Sequence, residues 1–326
     1  MKILVTGGAG FIGSNFVTRT IETKPHIEIT VLDALTYAGS KNNLDAVDGK
    51  INFVQGDIRN APLVDELVKD SDLVVHFAAE SHNDNSLKNP ALFFETNVMG
   101  TLNIATSCVT HDVRLHHIST DEVFGDLPLD SLETFNLETA YNPSSPYSAS
   151  KAAGDHLIRA WVRSFGLRAT ISNCSNNYGP RQHWEKLIPN TISSILRGDK
   201  APVYGTGLNV RDWIHVDDHT DGVWLAIERG TIGSTYLFGA RDNQSNLELV
   251  VGILKILERG EDSIDFVVDR AGHDLRYSID PSAAEKELAW SPVHYSILEE
   301  LPVIVQWYES AFDSTQLLPF SEDGVR

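Results

Sequence analysis

Cysteine and long apolar runs are two features that this sequence has in short supply. Only two cysteines, Cys108 and Cys174, occur among the 326 residues, without the paired spacing of a metal site or a disulfide framework. No secretory signal precedes the first predicted strand. No apolar run approaches the roughly 20 residues that a membrane-spanning helix needs. We therefore expect a protein of the reducing cytoplasm with no membrane role.

Positive charge is also scarce. The chain has 26 Lys and Arg residues against 45 Asp and Glu residues, which gives a formal net charge of −19. Such a charge repels nucleic-acid phosphates at long range, and the sequence contains neither an Arg-rich stripe nor a stacking platform. The composition thus argues against a nucleic-acid partner. An anionic ligand would have to be held by local groups.

What the sequence does contain is an alternation of short strands and helices. At 326 residues the chain exceeds the size at which one core usually suffices, so we expect a large domain with a smaller second lobe. Helical periodicity is found at residues 13–22, 91–109, 147–165, 187–197 and 247–257. β-rich runs are found at residues 3–5, 29–32, 52–54, 73–77, 115–118 and 169–172. The pattern predicts an α/β fold: a Rossmann-type, doubly wound parallel sheet with a smaller α+β substrate lobe.

We place the domain boundaries where this alternation loosens. Residues 1–175 form the expected dinucleotide-binding domain, with a later returning segment at about 213–240. Residues 176–212 and 241–315 form the expected substrate lobe, where Pro and Gly interrupt short elements. The tail at 316–326 has few core-forming residues and is expected to fray.

A glycine-rich loop follows the first predicted strand. Gly7, Gly10 and Gly13 lie just ahead of and within a helix that opens near Phe11, where backbone amides can bind a pyrophosphate. Asp33 ends the second strand, about 20 positions further on, as in dinucleotide-binding folds. Its carboxylate would accept the adenosine ribose hydroxyls and repel a 2′-phosphate. The loop therefore predicts NAD rather than its phosphorylated form.

Asp57 follows the third predicted strand and has two interpretations. Its carboxylate could hydrogen-bond the adenine amine of the cofactor. It could equally be the N-cap of the helix that follows. The sequence leaves both open.

Tyr147 and Lys151 lie one helical turn apart in a Ser-Pro-Tyr-Ser-Ala-Ser-Lys run, so they share a helix face. An ammonium beside the phenol would lower the phenol pKa from about 10, which suits a tyrosine that must accept a substrate proton. An ordinary amphipathic helix would explain the spacing alone. The Thr120-Asp121-Glu122 triplet at the end of the fourth or fifth strand favours catalysis, because parallel sheets bind ligands at that edge.

Several segments together resemble the extended short-chain dehydrogenase/reductases, and within them the sugar-nucleotide dehydratases. The resemblance spans nearly the whole chain. Its carriers are residues 7–13, 77–82, 119–125, 147–151, 173–179, 185–189, 207–213 and 272–277. The two carboxyls at Asp121 and Glu122 distinguish the dehydratases from the epimerases of the same superfamily, which usually have small hydroxyl residues there. The resemblance implies elimination of water from a nucleotide-activated glucose, expected to be dTDP-glucose, for deoxysugars such as rhamnose.

The resemblance also implies a role for each catalytic candidate. Tyr147 would remove the proton of the sugar O4 while a hydride leaves C4 for tightly bound NAD. Lys151 would hold the phenol and the ribose, and Thr120 would hydrogen-bond near O4. Glu122 would take the C5 proton, and a protonated Asp121 would donate to the departing C6 hydroxyl. Neighbouring carboxyls suit this division, because repulsion and burial can keep one of them neutral. Return of the hydride to C6 would complete the reaction, which makes the enzyme a lyase.

Binding residues are likewise implied by the resemblance. The cofactor pocket would include Phe11, Ile12, Ile58, Ala78 and Ala79 together with the loop glycines, Asp33, Asp57, Tyr147 and Lys151. The sugar nucleotide would be held by Ser81, His82, Thr120, Asn176, Glu185, Lys186, Leu187, Pro202, Tyr204, Arg211, Asn246, His273 and Tyr277. Arg211 is the main candidate for the substrate pyrophosphate, because a guanidinium binds phosphate oxygens in bidentate fashion. A surface pair between Arg211 and Asp212 is the structural alternative.

The chain departs from the family pattern after His82. The family usually has Val-Asp-Arg-Ser there, whereas this chain has Asn83-Asp84-Asn85-Ser86, which removes a positive charge. That arginine either pairs with structural acids or shapes the sugar pocket or the subunit contact. We expect no metal site, since His215 and His219 flank two aspartates that fit a helix start. A homodimer built on a four-helix contact is implied by the resemblance.

Two other functions remain open at this point. A UDP-sugar 4-epimerase or a decarboxylase of the same superfamily would use the same cofactor and Tyr147 but would need no acid at Asp121. A catalytically silent NAD-binding regulator would keep the fold without turnover. Such a regulator has no chemical need for the carboxyl pair and the Tyr-Lys pair together.

Overall fold

The computed structural model describes residues 1–269 and 271–312, so the predicted frayed tail at 316–326 lies outside the described residues. Within this part the strands are β1 Lys2–Thr6, β2 Glu28–Asp33, β3 Asn52–Gln55, β4 Leu73–His76, β5 Arg114–Thr120, β6 Ala169–Cys174, β7 Asn176–Tyr178, β8 Ala201–Tyr204, β9 Val210–His215, β10 Thr235–Phe238, β11 Asn243–Ser245 and β12 Ile264–Val267. The helices are α1 Phe11–Thr23, α2 Ala61–Lys69, α3 Asn83–Lys88, α4 Pro90–Phe94, α5 Thr101–His111, α6 Pro146–Phe165, α7 Leu187–Arg197, α8 Val216–Arg229, α9 Asn246–Ile256, α10 Ser282–Leu288 and α11 Ile297–Ala311.

Seven of these strands form the central sheet, in the order β3-β2-β1-β4-β5-β6-β10 with every pairing parallel. Helices cover both faces, so the predicted Rossmann-type fold is confirmed. The strand order reverses beside β1, since β2 lies on one side of it and β4 on the other. Such a switch point opens a crevice at the carboxyl ends of the strands, where ligands bind.

Alternate residues of the strands feed two separate cores. Ile3 and Val5 of β1 pack on one face with Phe16 of α1 and Trp224 of α8. Leu4 of β1 packs on the other face, in a cluster that contains residues of α2, α5 and α6. This division follows from the two-residue period of a strand. A parallel sheet that is buried on both faces explains why its strands are almost continuously apolar.

Smaller sheets lie outside the main one. Strands β11, β9 and β7 form a three-stranded sheet, and β12 and β8 form a two-stranded one. Helices α7, α9 and α11 pack together around a core that includes Tyr178 and Trp213. None of the described helices is long and apolar enough to cross a membrane.

The predicted helix at 91–109 is present but is not α-helical throughout. It consists of α4, a π-helical turn at Glu95–Gly100, and α5. Asn97 in that turn is buried, accepts the Glu80 N–H at 2.9 Å, and donates to the Glu80 carbonyl at 3.0 Å and to Ser150 Oγ at 2.9 Å. The turn therefore fastens the segment after β4 to α6. Apolar periodicity does not reveal it, because the polar side chain of Asn97 makes the decisive contacts.

We predict that Asn97→Ala destabilises the protein by about 3 kcal/mol, because a buried backbone N–H and C=O and a serine hydroxyl lose their partners. The free energy of unfolding in urea measures this loss. Asn52→Ala is the matched control, since its amide makes a long 3.5 Å contact with Thr30 at the surface. Equal stability of the two variants would show that the π-helical turn is not held by Asn97.

Candidate active site

A single cavity lies at the carboxyl edge of the sheet and continues across the switch point. It brings together the glycine loop, the ends of β2, β3, β4 and β5, and the start of α6. Its lining includes every predicted cofactor residue, namely Gly7, Gly10, Phe11, Ile12, Gly13, Asp33, Asp57, Ile58, Ala78, Ala79, Tyr147 and Lys151. It also includes Thr120, Asp121 and Glu122. Residues that are far apart in sequence thus share one space.

The glycine loop has a shape that only glycine permits at two positions. Gly7 has a φ of +71°, and an added Cβ would lie 2.5 Å from the Ala78 backbone nitrogen. A Cβ on Gly13 would lie 2.3 Å from the Gly7 carbonyl oxygen. The loop is therefore folded tightly under the start of α1. This close approach leaves a backbone cradle open to a ligand.

The start of α1 fits a dinucleotide pyrophosphate. Gly10 is its N-cap and provides no side-chain cap, and the first turn contains no acidic residue. The first amides of a helix lack intrahelical partners, so these N–H groups and the helix dipole favour an anion. Asp33 closes the other side, accepting the Ala9 N–H at 2.9 Å and the Leu35 N–H at 2.8 Å. Those bonds hold its carboxylate beside the loop.

The N-cap interpretation of Asp57 is wrong. Helix α2 begins at Ala61, and its N-cap Asn60 accepts the Leu63 N–H at 3.3 Å. The Asp57 carboxylate instead accepts hydrogen bonds from the Arg59 guanidinium, the shortest at 2.7 Å. These bonds lower the pKa of the Asp57 carboxyl. Asp57 is thus an ionised acceptor on the cavity wall.

The catalytic candidates are positioned by two elements. Thr120 ends β5, and Asp121 and Glu122 open a 3₁₀ turn at Asp121–Phe124. Tyr147 and Lys151 lie in the first turns of α6, which begins with a capping box between Ser145 and Ser148 and a proline at its first position. Because the cap fixes where α6 begins, it also fixes which face carries the Tyr-Lys pair.

Asp121 is fully buried, and its pKa is raised well above the usual range. Burial is the main cause, and the charges of Glu122 and Asp212 act in the same direction. One of its carboxylate oxygens has no hydrogen-bond partner among the described residues. A carboxyl whose pKa is raised in this way favours its protonated form, which suits it to donate a proton.

The expectation that Lys151 lowers the pKa of Tyr147 is not met within the protein itself. Burial and the charge of Glu122 raise the phenol pKa well above 10, and the Thr120 hydroxyl opposes this only in part. Burial also lowers the pKa of Lys151, whose ammonium donates to the Ile118 carbonyl at 2.8 Å. Helical spacing places the two groups on one face, but β5 determines where the ammonium points.

A buried network behind Lys151 was not predicted from the sequence. Asp155 accepts from Ser119 Oγ at 2.9 Å and from the Tyr141 hydroxyl at 2.8 Å, and its second oxygen lies 3.3 Å from His117 Nε2. These contacts lower the pKa of Asp155 despite its burial. An ionised Asp155 one turn after Lys151 favours the charged ammonium. The i, i+4 spacing of the two residues was the available signal.

Some predicted substrate residues also line the cavity, namely Ser81, Asn176, Glu185 and Lys186. Burial raises the pKa of Glu185 to about 7, with Lys186 opposing the shift. His82 Nε2 lies 3.9 Å from the Glu185 carboxylate. These side chains give the cavity a polar mouth.

The remaining candidates lie outside this lining, namely His82, Leu187, Pro202, Tyr204, Arg211, Asn246, His273 and Tyr277. Arg211 is not paired with Asp212. It is 4% exposed, stacks on the Tyr277 ring at 4.3 Å, and donates to the carbonyl of Asp274 at 2.9 Å. Tyr204 on β8 donates to Asp84 on α3 at 3.0 Å, which connects the two-stranded sheet to α3.

Histidines that could have suggested a metal have other roles. The His215 ring caps α8 by accepting the Asp217 N–H at 3.2 Å, and His219 contacts Asn177 at 2.9 Å. Across the described ranges there is no group of three or more His, Cys, Asp or Glu residues placed to hold a metal ion.

Comparison with known proteins identifies the family. A family model described as GDP-mannose 4,6 dehydratase matches residues 4–299. The dTDP-glucose 4,6-dehydratase of Mycolicibacterium smegmatis is 56% identical over 310 residues, covering 95% of this chain and 94% of the relative. This chain belongs to the dTDP-glucose 4,6-dehydratase family. The enzyme of that name from Mycobacterium tuberculosis is also 56% identical, over 94% of this chain and 93% of its own.

Solved structures place this family member in the same fold. A dTDP-glucose 4,6-dehydratase from Streptomyces venezuelae, solved with NAD and TYD bound, is 44% identical with a TM-score of 0.91, covering 95% of this chain and 97% of its own. A UDP-glucose 4-epimerase from Thermotoga maritima, solved with UDP-glucose, has a TM-score of 0.87 at 26% identity, over 95% and 99% of the chains. Fold alone therefore does not separate dehydration from epimerisation.

We predict that Gly13→Ala abolishes tight dinucleotide binding in this dehydratase-family protein while leaving it folded. A Cβ there must displace the Gly7 carbonyl, which lies 2.3 Å away, and so opens the cradle. The NAD content of the purified protein and calorimetric titration with NAD measure the effect. Gly49→Ala is the control, because no heavy atom lies within 4 Å of its added Cβ, although its φ is +73°. Undiminished NAD binding by Gly13→Ala would contradict the assignment.

Proposed function

We propose that the protein converts dTDP-glucose to dTDP-4-keto-6-deoxyglucose with tightly bound NAD, as an NAD-dependent lyase of deoxysugar biosynthesis. The observation that carries the proposal is the buried Asp121 beside Glu122, in the cavity that also holds Tyr147 and the glycine loop. A neutral acid next to a second carboxyl is what removal of water requires. The named relatives at 56% identity support the same substrate.

The first stage of the reaction uses the Tyr-Lys pair. Tyr147 takes the proton of the sugar O4, with the Thr120 hydroxyl beside it and the Lys151 ammonium fixed by the Ile118 carbonyl. When bound, NAD accepts the hydride from C4, returns it to C6 and contributes the positive charge of its oxidised ring. A positive charge favours the phenolate and so opposes the effect of burial on the pKa of Tyr147.

The second stage uses the carboxyl pair. The ketone at C4 makes the C5 hydrogen acidic, and Glu122 takes that proton as general base. Asp121, held neutral by burial, donates a proton to the C6 hydroxyl as it leaves. Water is thereby lost across C5 and C6. No net oxidation occurs, so the cofactor ends as it began.

The alternatives are less well supported. An epimerase needs only the first stage and has no use for a buried neutral acid at Asp121. A silent NAD-binding regulator needs neither stage, yet burial of the Asp121 carboxyl beside Glu122 costs free energy that a regulator has no reason to spend. We therefore favour a dehydratase over both.

For the substrate we assign the polar mouth of the cavity to the sugar nucleotide. Lys186, which donates to the Ser81 carbonyl at 3.3 Å, and Asn176 line the same cavity as the catalytic residues. Arg211 is assigned to the pyrophosphate, and Leu187, Pro202, Tyr204, Asn246, His273 and Tyr277 to the nucleoside side. The guanidinium of Arg211 donates to the carbonyls of Val210 and Asp274. A pyrophosphate would therefore have to replace part of these hydrogen bonds in order to bind Arg211.

A homodimer is part of the proposal. Leu87 of α3, Phe94 of α4 and Met99 of the π-helical turn are exposed by 45%, 42% and 53% and are close in sequence. A four-helix contact that uses this segment together with α6 would bury them. We also assign the enzyme to the cytoplasm, where its two free, buried thiols, Cys108 and Cys174, would stay reduced.

The decisive experiment follows an isotope through the reaction. With dTDP-glucose deuterated at C4, we expect the product to have lost one water and to contain deuterium at C6, because the hydride returns within the site. Mass spectrometry and NMR of the sugar measure both. Inversion at C4 without loss of water would support the epimerase, and binding without turnover would support the silent regulator.

We further predict that Asp121→Asn lowers the rate of water loss by about 100-fold or more but spares oxidation at C4. An amide cannot donate the proton that the C6 hydroxyl needs, whereas Tyr147 is unchanged. Quenched samples analysed for the 4-keto sugar and for the dehydrated product separate the two stages. Asp130→Asn, at an exposed site of the next loop, is the control. Full dehydration by Asp121→Asn would reject the assigned acid.

A further inference from the structure

Asn83, the first residue of α3, contacts the residue assigned as general base. Its side-chain Nδ2 donates to Glu122 Oε2 at 2.9 Å. Its Oδ1 accepts from Ser145 Oγ at 2.8 Å. Ser145 is the N-cap of α6, the helix that carries Tyr147 and Lys151. One amide thus connects the elimination base to the start of the oxidation helix.

Chemistry fixes the orientation of this amide. A carboxylate only accepts hydrogen bonds, so Nδ2 must face Glu122 and Oδ1 must face the Ser145 hydroxyl. The reversed amide would direct its oxygen at the Glu122 carboxylate and leave both oxygens without a proton between them. A 180° rotation of the amide would therefore lose the hydrogen bond to Glu122.

We propose that Asn83 is a positioning residue for proton removal at C5, a conclusion that rests on the proposed dehydration. By holding Oε2, the amide fixes the carboxylate plane and leaves Oε1 as the free basic oxygen. Valine, the usual family residue at this position, has no donor and cannot do this. The chain thus supplies a restraint on its base that the family pattern lacks.

The surroundings of Glu122 explain why such a restraint matters. The charge of Glu122 acts on Asp121 in the same turn, on Tyr147 of α6 and on Tyr277. The cation that acts on Asp121 and Tyr277, Arg211, is held by the Asp274 carbonyl and the Tyr277 ring. The neutral amide of Asn83 holds the Glu122 carboxylate without cancelling its charge, which a paired lysine or arginine would do.

The test begins with Asn83→Val, the family residue. We expect kcat to fall about tenfold with little change in KM, because a charge-assisted hydrogen bond that orients the base is lost. We also expect the 4-keto sugar to accumulate in quenched reactions, and the kinetic isotope effect with C5-deuterated dTDP-glucose to increase. A loss of general stability would slow both stages and would not raise that isotope effect.

Asn83→Asp separates the two contacts of the amide. An aspartate still accepts from Ser145 but offers no donor to Glu122, so we expect it to be at least as slow as Asn83→Val. In a Glu122→Ala background, Asn83→Val should change the residual rate less than about twofold, since coupled residues are not additive. Asn89→Val is the matched control, because its exposed side chain makes no capping bond at the far end of α3.

Each outcome decides the inference. Recovery of the wild-type rate by Asn83→Asp, or an unchanged isotope effect in Asn83→Val, would show that Asn83 serves only the cap of α6 and would overturn the proposal. A wild-type protein that fails to dehydrate dTDP-glucose would instead overturn the proposed function. The two failures are therefore distinguishable in one set of assays.

Discussion

Parallel pairing of the seven central strands is the constraint on which the rest of the molecule depends. It directs the carboxyl ends of all seven strands to one edge, where β2 presents Asp33 and β5 presents Thr120. The register of β5 with β6 places Thr120 opposite Cys174 at the base of the cavity. Helix α6 returns over this edge, so Tyr147 faces groups that are distant in sequence. The cofactor loop and the acid-base groups meet because both follow the carboxyl ends of these parallel strands.

Burial then sets the protonation states at that edge. Burial and the charges of Glu122 and Asp212 raise the pKa of Asp121, whereas hydrogen bonds and the charges of His117 and Lys151 lower that of the equally buried Asp155. The difference lies in hydrogen-bond partners and neighbouring charges and not in depth. At Tyr147, burial and the charge of Glu122 together move the pKa away from that of a useful base. The positive charge of the bound cofactor is therefore needed to lower the pKa of Tyr147.

Hydrogen bonds from two asparagine side chains join the segments that form the site. Asn97 fastens the segment after β4 to α6, and Asn83 fastens Glu122 to the cap of the same helix. Each is an amide that bonds to two different segments of the chain. Such residues are invisible to periodicity, because a helix position with a polar side chain is ordinarily solvent-facing.

The sequence by itself determined the Rossmann-type fold and the candidate cavity groups, because the alternation of strands and helices, the glycine spacing and the Tyr-Lys interval are local patterns with local physical causes. It also limited Asp57 to two roles. Tertiary structure alone excluded the N-cap role of Asp57, placed a π-helical turn within the helix at 91–109, buried Arg211 away from Asp212, and reversed the expected shift in the pKa of Tyr147. Those outcomes depend on which atoms surround a side chain after folding, and distances between elements are not encoded in any one segment.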